Sequence, residues 1–205
     1  MRNGYRKMTK ANIKAISAGM KQYAELEKLF NLPQIQSNRF FRDCIIGSLC
    51  GVSEMNTDMH GWDGGFPNGF YFENKNISAH SKSSCSYALK FQDTSEEKLA
   101  ELCQGVIAAT TAWFNSGEPA FLMVGNTKNV RDELVASYRP QTRRSNTVSM
   151  TRCLNKGFKL VALGYTKEQV ISVISDKFPR LGRSLTPADI YTEEELPALV
   201  AEMMK

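Results

Sequence analysis

Asp63 precedes Glu73 by ten residues, and Lys75 lies two beyond Glu73. Two carboxylates and a backbone carbonyl make a hard oxygen set of the kind Mg²⁺ takes while keeping several waters. A lysine beside such an ion orients or deprotonates one of those waters, and the ion stabilises charge developing on a phosphorus-bound oxygen. The chemistry open to this trio is hydrolysis of a phosphodiester. Its alternative is structural: Asp63 as a turn former, with Glu73 and Lys75 as a surface pair on a strand.

The trio must be positioned by a turn and a strand. Gly61 to Gly69 carries four glycines and Pro67 around Trp62, Asp63 and Phe66, which is turn chemistry. Phe70, Tyr71 and Phe72 follow as a strand ending at Glu73. Side chains two apart on a strand share a face, so Glu73 and Lys75 point into one cleft while Asn74 turns away and offers its carbonyl. Upstream, Ile13, Ile16, Met20, Tyr23, Leu26, Leu29 and Phe30 recur at helical spacing and predict a helix ending before Pro33. Ser37 caps a second helix with Phe40, Phe41, Cys44, Ile45, Ile46 and Leu49 on its apolar side. Downstream, Tyr87 to Phe91 reads as a strand, and Thr94-Ser95-Glu96-Glu97 opens a long helix through Leu99, Leu102, Val106, Ile107 and Trp113. Ala120 to Val124, between Pro119 and Gly125, reads as a buried strand. This order predicts an α/β (α+β) domain over residues 1–140, with a central mixed sheet flanked by helices.

The run His60-Gly61-Trp62-Asp63-Gly64-Gly65-Phe66-Pro67-Asn68-Gly69-Phe70-Tyr71-Phe72-Glu73-Asn74-Lys75 resembles the active-site motif of the PD-(D/E)xK nuclease superfamily. Type II restriction endonucleases belong to it. The preceding helix with Arg39, Arg42 and Asp43, the G-x-D-G turn, a short hairpin and an E-x-K strand are similar to the N-terminal layout of several such enzymes. The likeness in element order covers residues 37 to about 125. Where the motif usually has proline before the aspartate, this chain has Trp62. The resemblance implies a restriction-endonuclease-like fold and a Mg²⁺-dependent endodeoxyribonuclease, with Asp63, Glu73 and Asn74 holding metal and Lys75 positioning water. Glu54 and Glu27 are candidates for a further acidic ligand.

Charge segregation points to a polyanion. The chain has 26 lysines and arginines against 21 acids, yet between Leu134 and Lys167 there is no carboxylate. That stretch holds Arg139, Arg143, Arg144, Arg152, Lys156, Lys159 and Lys167, and residues 1–24 are likewise basic and acid-free. Such a footprint suits nucleic-acid phosphates, and a solvated surface face is the other reading. His80 and Lys82 follow the motif in a further acid-free stretch and are candidate DNA contacts.

Met150 to Leu163, the turn Gly164-Tyr165, and Thr166 to Phe178 predict two helices within a basic helical region, 141–205, closed by a short helix after Thr192. Asn155 to Ile174 resembles a helix-turn-helix in which Thr166, Lys167, Gln169 and Ser172 would face the groove. An ordinary helical hairpin has the same pattern. A non-catalytic nucleic-acid-binding protein using these helices is therefore the competing functional class.

Five cysteines, without C-x-x-C spacing, argue against a disulfide framework or a structural zinc site and suit a reducing cytoplasm. With no apolar run near the roughly 18 residues of a membrane span, DNA rather than a membrane is the expected partner, and a homodimer is allowed for. No G-x-x-x-x-G-K-[ST] or G-x-G-x-x-G cradle for a nucleotide is present.

Overall fold

The computed structural model describes residues 5–30, 38–56, 61–82, 87–139, 145–178 and 185–205. Their elements run β1 (Tyr5–Lys7), α1 (Lys10–Phe30), α2 (Asn38–Leu49), β2 (Glu54–Asn56), β3 (Gly64–Gly65), β4 (Tyr71–Ser78), β5 (Leu89–Phe91), α3 (Glu96–Gln104), β6 (Ile107–Trp113) and β7 (Pro119–Asn126). After a 3-10 turn come α4 (Arg131–Ser137), β8 (Asn146–Val148), α5 (Met150–Asn155), β9 (Lys159–Ala162), α6 (Lys167–Lys177), β10 (Ile190–Tyr191) and α7 (Leu196–Met203). The predicted cap Ser37 lies outside the described residues.

The α/β expectation holds. Eight strands form one mixed sheet in the order β1-β2-β3-β4-β6-β7-β9-β10, and β5 pairs with β8 in a separate ribbon. All neighbours are antiparallel except β4 with β6 and β9 with β10. Parallel pairing of β4 with β6 needs a crossover, which the chain makes through β5 and α3.

Helices cover both faces. Ile107, Ala109, Leu122, Val124 and Val161 pack with Met20 of α1, Cys44 and Ile46 of α2, and Leu196 and Val200 of α7. Ala108, Met123 and Leu160 pack on the other face with Leu102 of α3, Leu134 of α4, Met150 and Cys153 of α5, and Val170 and Ile174 of α6. Being buried on both sides, β6 and almost all of β7 are inaccessible and read as unbroken apolar-rich runs without alternation.

That double burial explains where the sequence reading departs from the structure. The long helix expected through Trp113 stops at Gln104, where Gly105 adopts φ +128°, and Ile107–Trp113 is the central strand β6. The helix expected over Met150–Leu163 stops at Asn155. Gly157, at φ +92°, turns the chain into β9, which pairs with both β7 and β10. Asn155 to Ile174 is therefore not a helix-turn-helix, because its first helix ends at Asn155 and Lys159–Ala162 is a strand inside the sheet. Residues 145–178 and 185–205 contain β8, β9 and β10 beside α5, α6 and α7, so this part is not wholly helical. The strand over Phe70–Phe72, expected to end at Glu73, continues to Ser78. Thr166 does cap α6, in a capping box with Gln169.

One close approach locks β7 to the segment before β9. A Cβ added at Gly125 would lie 2.4 Å from Cγ of Phe158, a ring that is itself buried. Gly125→Ala must displace that ring, and overpacking of this kind costs about 1–3 kcal/mol. Urea unfolding of the variant is expected to show a lower midpoint with an unchanged slope.

Candidate active site

The turn before β3 fixes Asp63 from both sides. Asn56 of β2 donates its side-chain amide to the Trp62 carbonyl at 3.0 Å and its backbone N–H to the Asp63 carbonyl at 2.8 Å. The buried indole of Trp62 donates Nε1–H to Glu101 Oε2 at 2.8 Å, and the Lys98 ammonium lies 4.9 Å from its ring centroid. Trp62 thus supplies a side chain that pins the turn to α3. Next to it, a Cβ at Gly64 would come within 2.8 Å of Val52 Cγ1, so only glycine lets β3 lie this close to the β2 strand.

Because β3 has only two residues, its ladder with β4 ends at the pair Gly64 and Phe72. The Asp63 carboxylate continues it, Oδ2 accepting the Asn74 N–H at 2.8 Å. In an extended strand the N–H and C=O of one residue leave on the same side, so the Asn74 carbonyl faces the edge that Asp63 occupies.

Two sets of polar side chains leave β4 on opposite faces. Glu73 and Lys75 share the face of α3, and the Lys75 ammonium donates to Glu73 Oε1. The Glu73 side chain is 3% exposed, and its Oε2 has no hydrogen-bond partner among the described residues. On the α2 face, Asn74 and Asn76 donate their amides to Asp43 Oδ1 at 2.9 and 2.6 Å. Thr111 donates to Asn74 Oδ1 at 2.7 Å, and Trp113 Nε1 to Asn76 Oδ1 at 2.7 Å. Arg39, one helical turn before Asp43, lies 3.6 Å from both Asp43 Oδ2 and Asp63 Oδ1, with its side chain 62% exposed.

Three carboxylates thus crowd one strand. Burial raises the Asp63 carboxyl well above its ordinary value, the charges on Glu73 and Asp43 add to this, and the Asn74 N–H and Lys75 oppose it. Burial likewise raises Asp43 to about 6, against the amides of Asn74 and Asn76 and the Arg39 guanidinium. Among the described residues no three His, Cys, Asp or Glu side chains form a metal-binding group. The donor set that fits a divalent cation is smaller: the Asp63 carboxylate, the unpartnered Glu73 Oε2 and the Asn74 carbonyl. Water would complete it, as Mg²⁺ prefers.

Asp63, Glu73, Asn74 and Lys75 are therefore brought together, and the structure adds Asp43 and Arg39. Their signal in the sequence was an Arg-to-Asp spacing of four just before the apolar run Cys44-Ile45-Ile46. Glu54 pairs through its backbone with Lys7 and Gly65 on β2, and the side chain of Glu27, like His60, lies outside the described residues.

The basic candidates are dispersed. Exposed His80 and Lys82 follow the end of β4. Arg139 donates to the carbonyls of Ala136 and Tyr138, both at 2.7 Å, at the end of α4. Lys156 is exposed beyond α5, and Lys167 opens α6. Gln169 Oε1 accepts the Thr166 N–H at 2.8 Å, so its side chain serves its own helix. Lys159, three strands from β4, shares its face with Val124 and lies 5.9 Å from the Tyr191 ring centroid. Arg143 and Arg144 lie outside the described residues.

The raised carboxyl values make stability pH-dependent. Between the ordinary 3.8 and about 6 the folded chain holds more proton on Asp43 than the unfolded chain does, so this group lowers stability as pH rises through that window. In chelator, Asp43→Asn is expected to flatten the fall in unfolding free energy between about pH 4 and 6, measured by urea titration at each pH.

Comparison with models of known protein families, with curated proteins and with solved structures gives no match to this chain.

Proposed function

We propose that the protein is a Mg²⁺-dependent endonuclease that hydrolyses DNA phosphodiester bonds, of the type II restriction kind that the PD-(D/E)xK resemblance implies. The observation that carries this reading is the buried, unpartnered Glu73 Oε2 on the strand whose edge holds the Asp63 carboxylate, with Lys75 paired to the other oxygen of Glu73. A buried carboxylate oxygen without a donor is costly and calls for a cationic or hydrogen-bonding partner. What supports it in the fold is the order α2, the turn at Asp63 and the β3–β4 hairpin, which is the part of the layout that the resemblance implies.

Asp63, Glu73 and the Asn74 carbonyl would hold the ion. When bound it supplies charge stabilisation at the phosphorus-bound oxygens and an acidified water. Lys75, 22% exposed and held by Glu73, orients the attacking water. Arg39, beside Asp63 Oδ1 and with its side chain 62% exposed, is the guanidinium at the site that could meet a phosphate. The competing reading, a binding protein built on a helix-turn-helix, loses its element to β9. Backbone grip is assigned to the acid-free stretches carrying His80, Lys82, Arg139, Arg143, Arg144 and Lys156.

The test is incubation of the purified protein with supercoiled plasmid, with Mg²⁺ or with chelator. Wild type is expected to nick or linearise it only with the metal. Glu73→Gln, which removes a ligand charge at constant shape, should abolish cleavage and leave DNA binding intact. Lys75→Ala should lower the rate by about 10²-fold or more while sparing metal affinity. Metal-independent cleavage, or nicking by Glu73→Gln at the wild-type rate, removes the trio from the site. DNA binding without cleavage returns the non-catalytic reading.

A further inference from the structure

Thr110 of β6 stands directly opposite Lys75 of β4, and Ala108 stands opposite Glu73. Directly paired residues of neighbouring strands put their side chains on one face, so Lys75, Glu73 and Thr110 share a face, with Thr110 diagonal to Glu73. Thr110 is 2% exposed, and its Oγ1 has no hydrogen-bond partner among the described residues. Its neighbour Thr111, on the opposite face, donates to Asn74 Oδ1 at 2.7 Å. Two buried polar atoms, Glu73 Oε2 and Thr110 Oγ1, are thus left without partners on the same face of adjacent central strands.

A valine would fill the Thr110 position with the same shape and no polar group to bury. Resting on the nuclease reading above, we propose that Thr110 is a positioning residue of the site: with Glu73 Oε2 it holds an internal water that fixes the Lys75 ammonium. The pairing capacities agree. Glu73 Oε2 only accepts, with two lone pairs, so a water on one leaves the other for an ion; the Thr110 hydroxyl both donates and accepts, and Lys75 has donors left after its bond to Glu73 Oε1. A water on these groups has the two to four polar partners that an internal water needs. Without it the ammonium is held by one carboxylate oxygen alone, and loss of about 1 Å in placement costs about 10²-fold in rate.

The experiment combines a crystal structure that resolves ordered water with single-turnover plasmid cleavage by wild type, Thr110→Val, Thr110→Ser, Lys75→Ala and the Thr110→Val/Lys75→Ala double variant. A water within hydrogen-bond distance of both Glu73 Oε2 and Thr110 Oγ1 is expected. Thr110→Val should melt at or above the wild-type temperature yet cleave about 10²-fold more slowly. Thr110→Ser should restore the rate, and the double variant should be no slower than Lys75→Ala. Absence of the water, wild-type cleavage by Thr110→Val, failure of serine to rescue, or additivity in the double variant overturns the role of Thr110. If Thr110→Val fails to fold, the serine variant and the water position decide. Wild type that does not cleave with Mg²⁺ overturns the nuclease reading and the role of Thr110 with it. Equal cleavage by wild type and Thr110→Val overturns the Thr110 role alone.

Discussion

A strand carrying Glu73, Asn74, Lys75 and Asn76 in succession lies well inside the sheet, and that placement constrains everything around it. Buried polar groups are tolerated only when they are paired. On one face the requirement is met by a closed network, in which Asp43, Thr111 and Trp113 satisfy both asparagine side chains. On the other it is met in part, with one oxygen of Glu73 bonded to Lys75 and one left over. The satisfied face anchors the strand to α2 and β6. The unsatisfied face is where chemistry has room.

The same strand has two different edges. Toward β6 it is paired from Phe72 to Ser78, all but its first residue. Toward β3 the backbone ladder ends after two residues, and a side chain takes over. β3 is short because the turn at Asp63 directly precedes Gly64, which lies against Val52 and the Glu54 carbonyl. A longer β3 would pair the backbone of Asn74 and bury the edge at which Asp63 and the Asn74 carbonyl meet. The glycine-rich turn is thus the local cause of an interrupted ladder in a sheet covered on both faces.

How much of this was legible in the sequence depended on how far each feature rested on local chemistry. The glycine turn, the shared face of Glu73 and Lys75, and β7 between Pro119 and Gly125 follow from residue type and strand parity, and the structure has them. Strands β6 and β9 were hidden because burial on both faces removes alternation, and Val106 and Ile107 happen to continue the period of α3. Asp43 stood in the helix before the motif, but its contacts with β4, like Thr110, were hidden for another reason. Their place in the site is set by the packing of α2 on β4 and by the register of β4 with β6, neither of which a local window contains.

Charge ties the two faces together. Asp43, Asp63 and Glu73 face two cations, Arg39 and Lys75, so when all are ionised the cluster keeps an excess negative charge. Burial above all, and then the neighbouring carboxylates, raise the Asp43 and Asp63 carboxyls, so protons offset part of that charge. A divalent cation at Asp63 and Glu73 would do the same work with a fixed charge, and its binding would then be coupled to proton release. Asp43 acts on the other face, where its bonds from the Asn74 and Asn76 amides hold the strand whose backbone Asp63 caps. The buried network and the open edge are therefore one electrostatic unit, divided by a strand that shows each of them a different face.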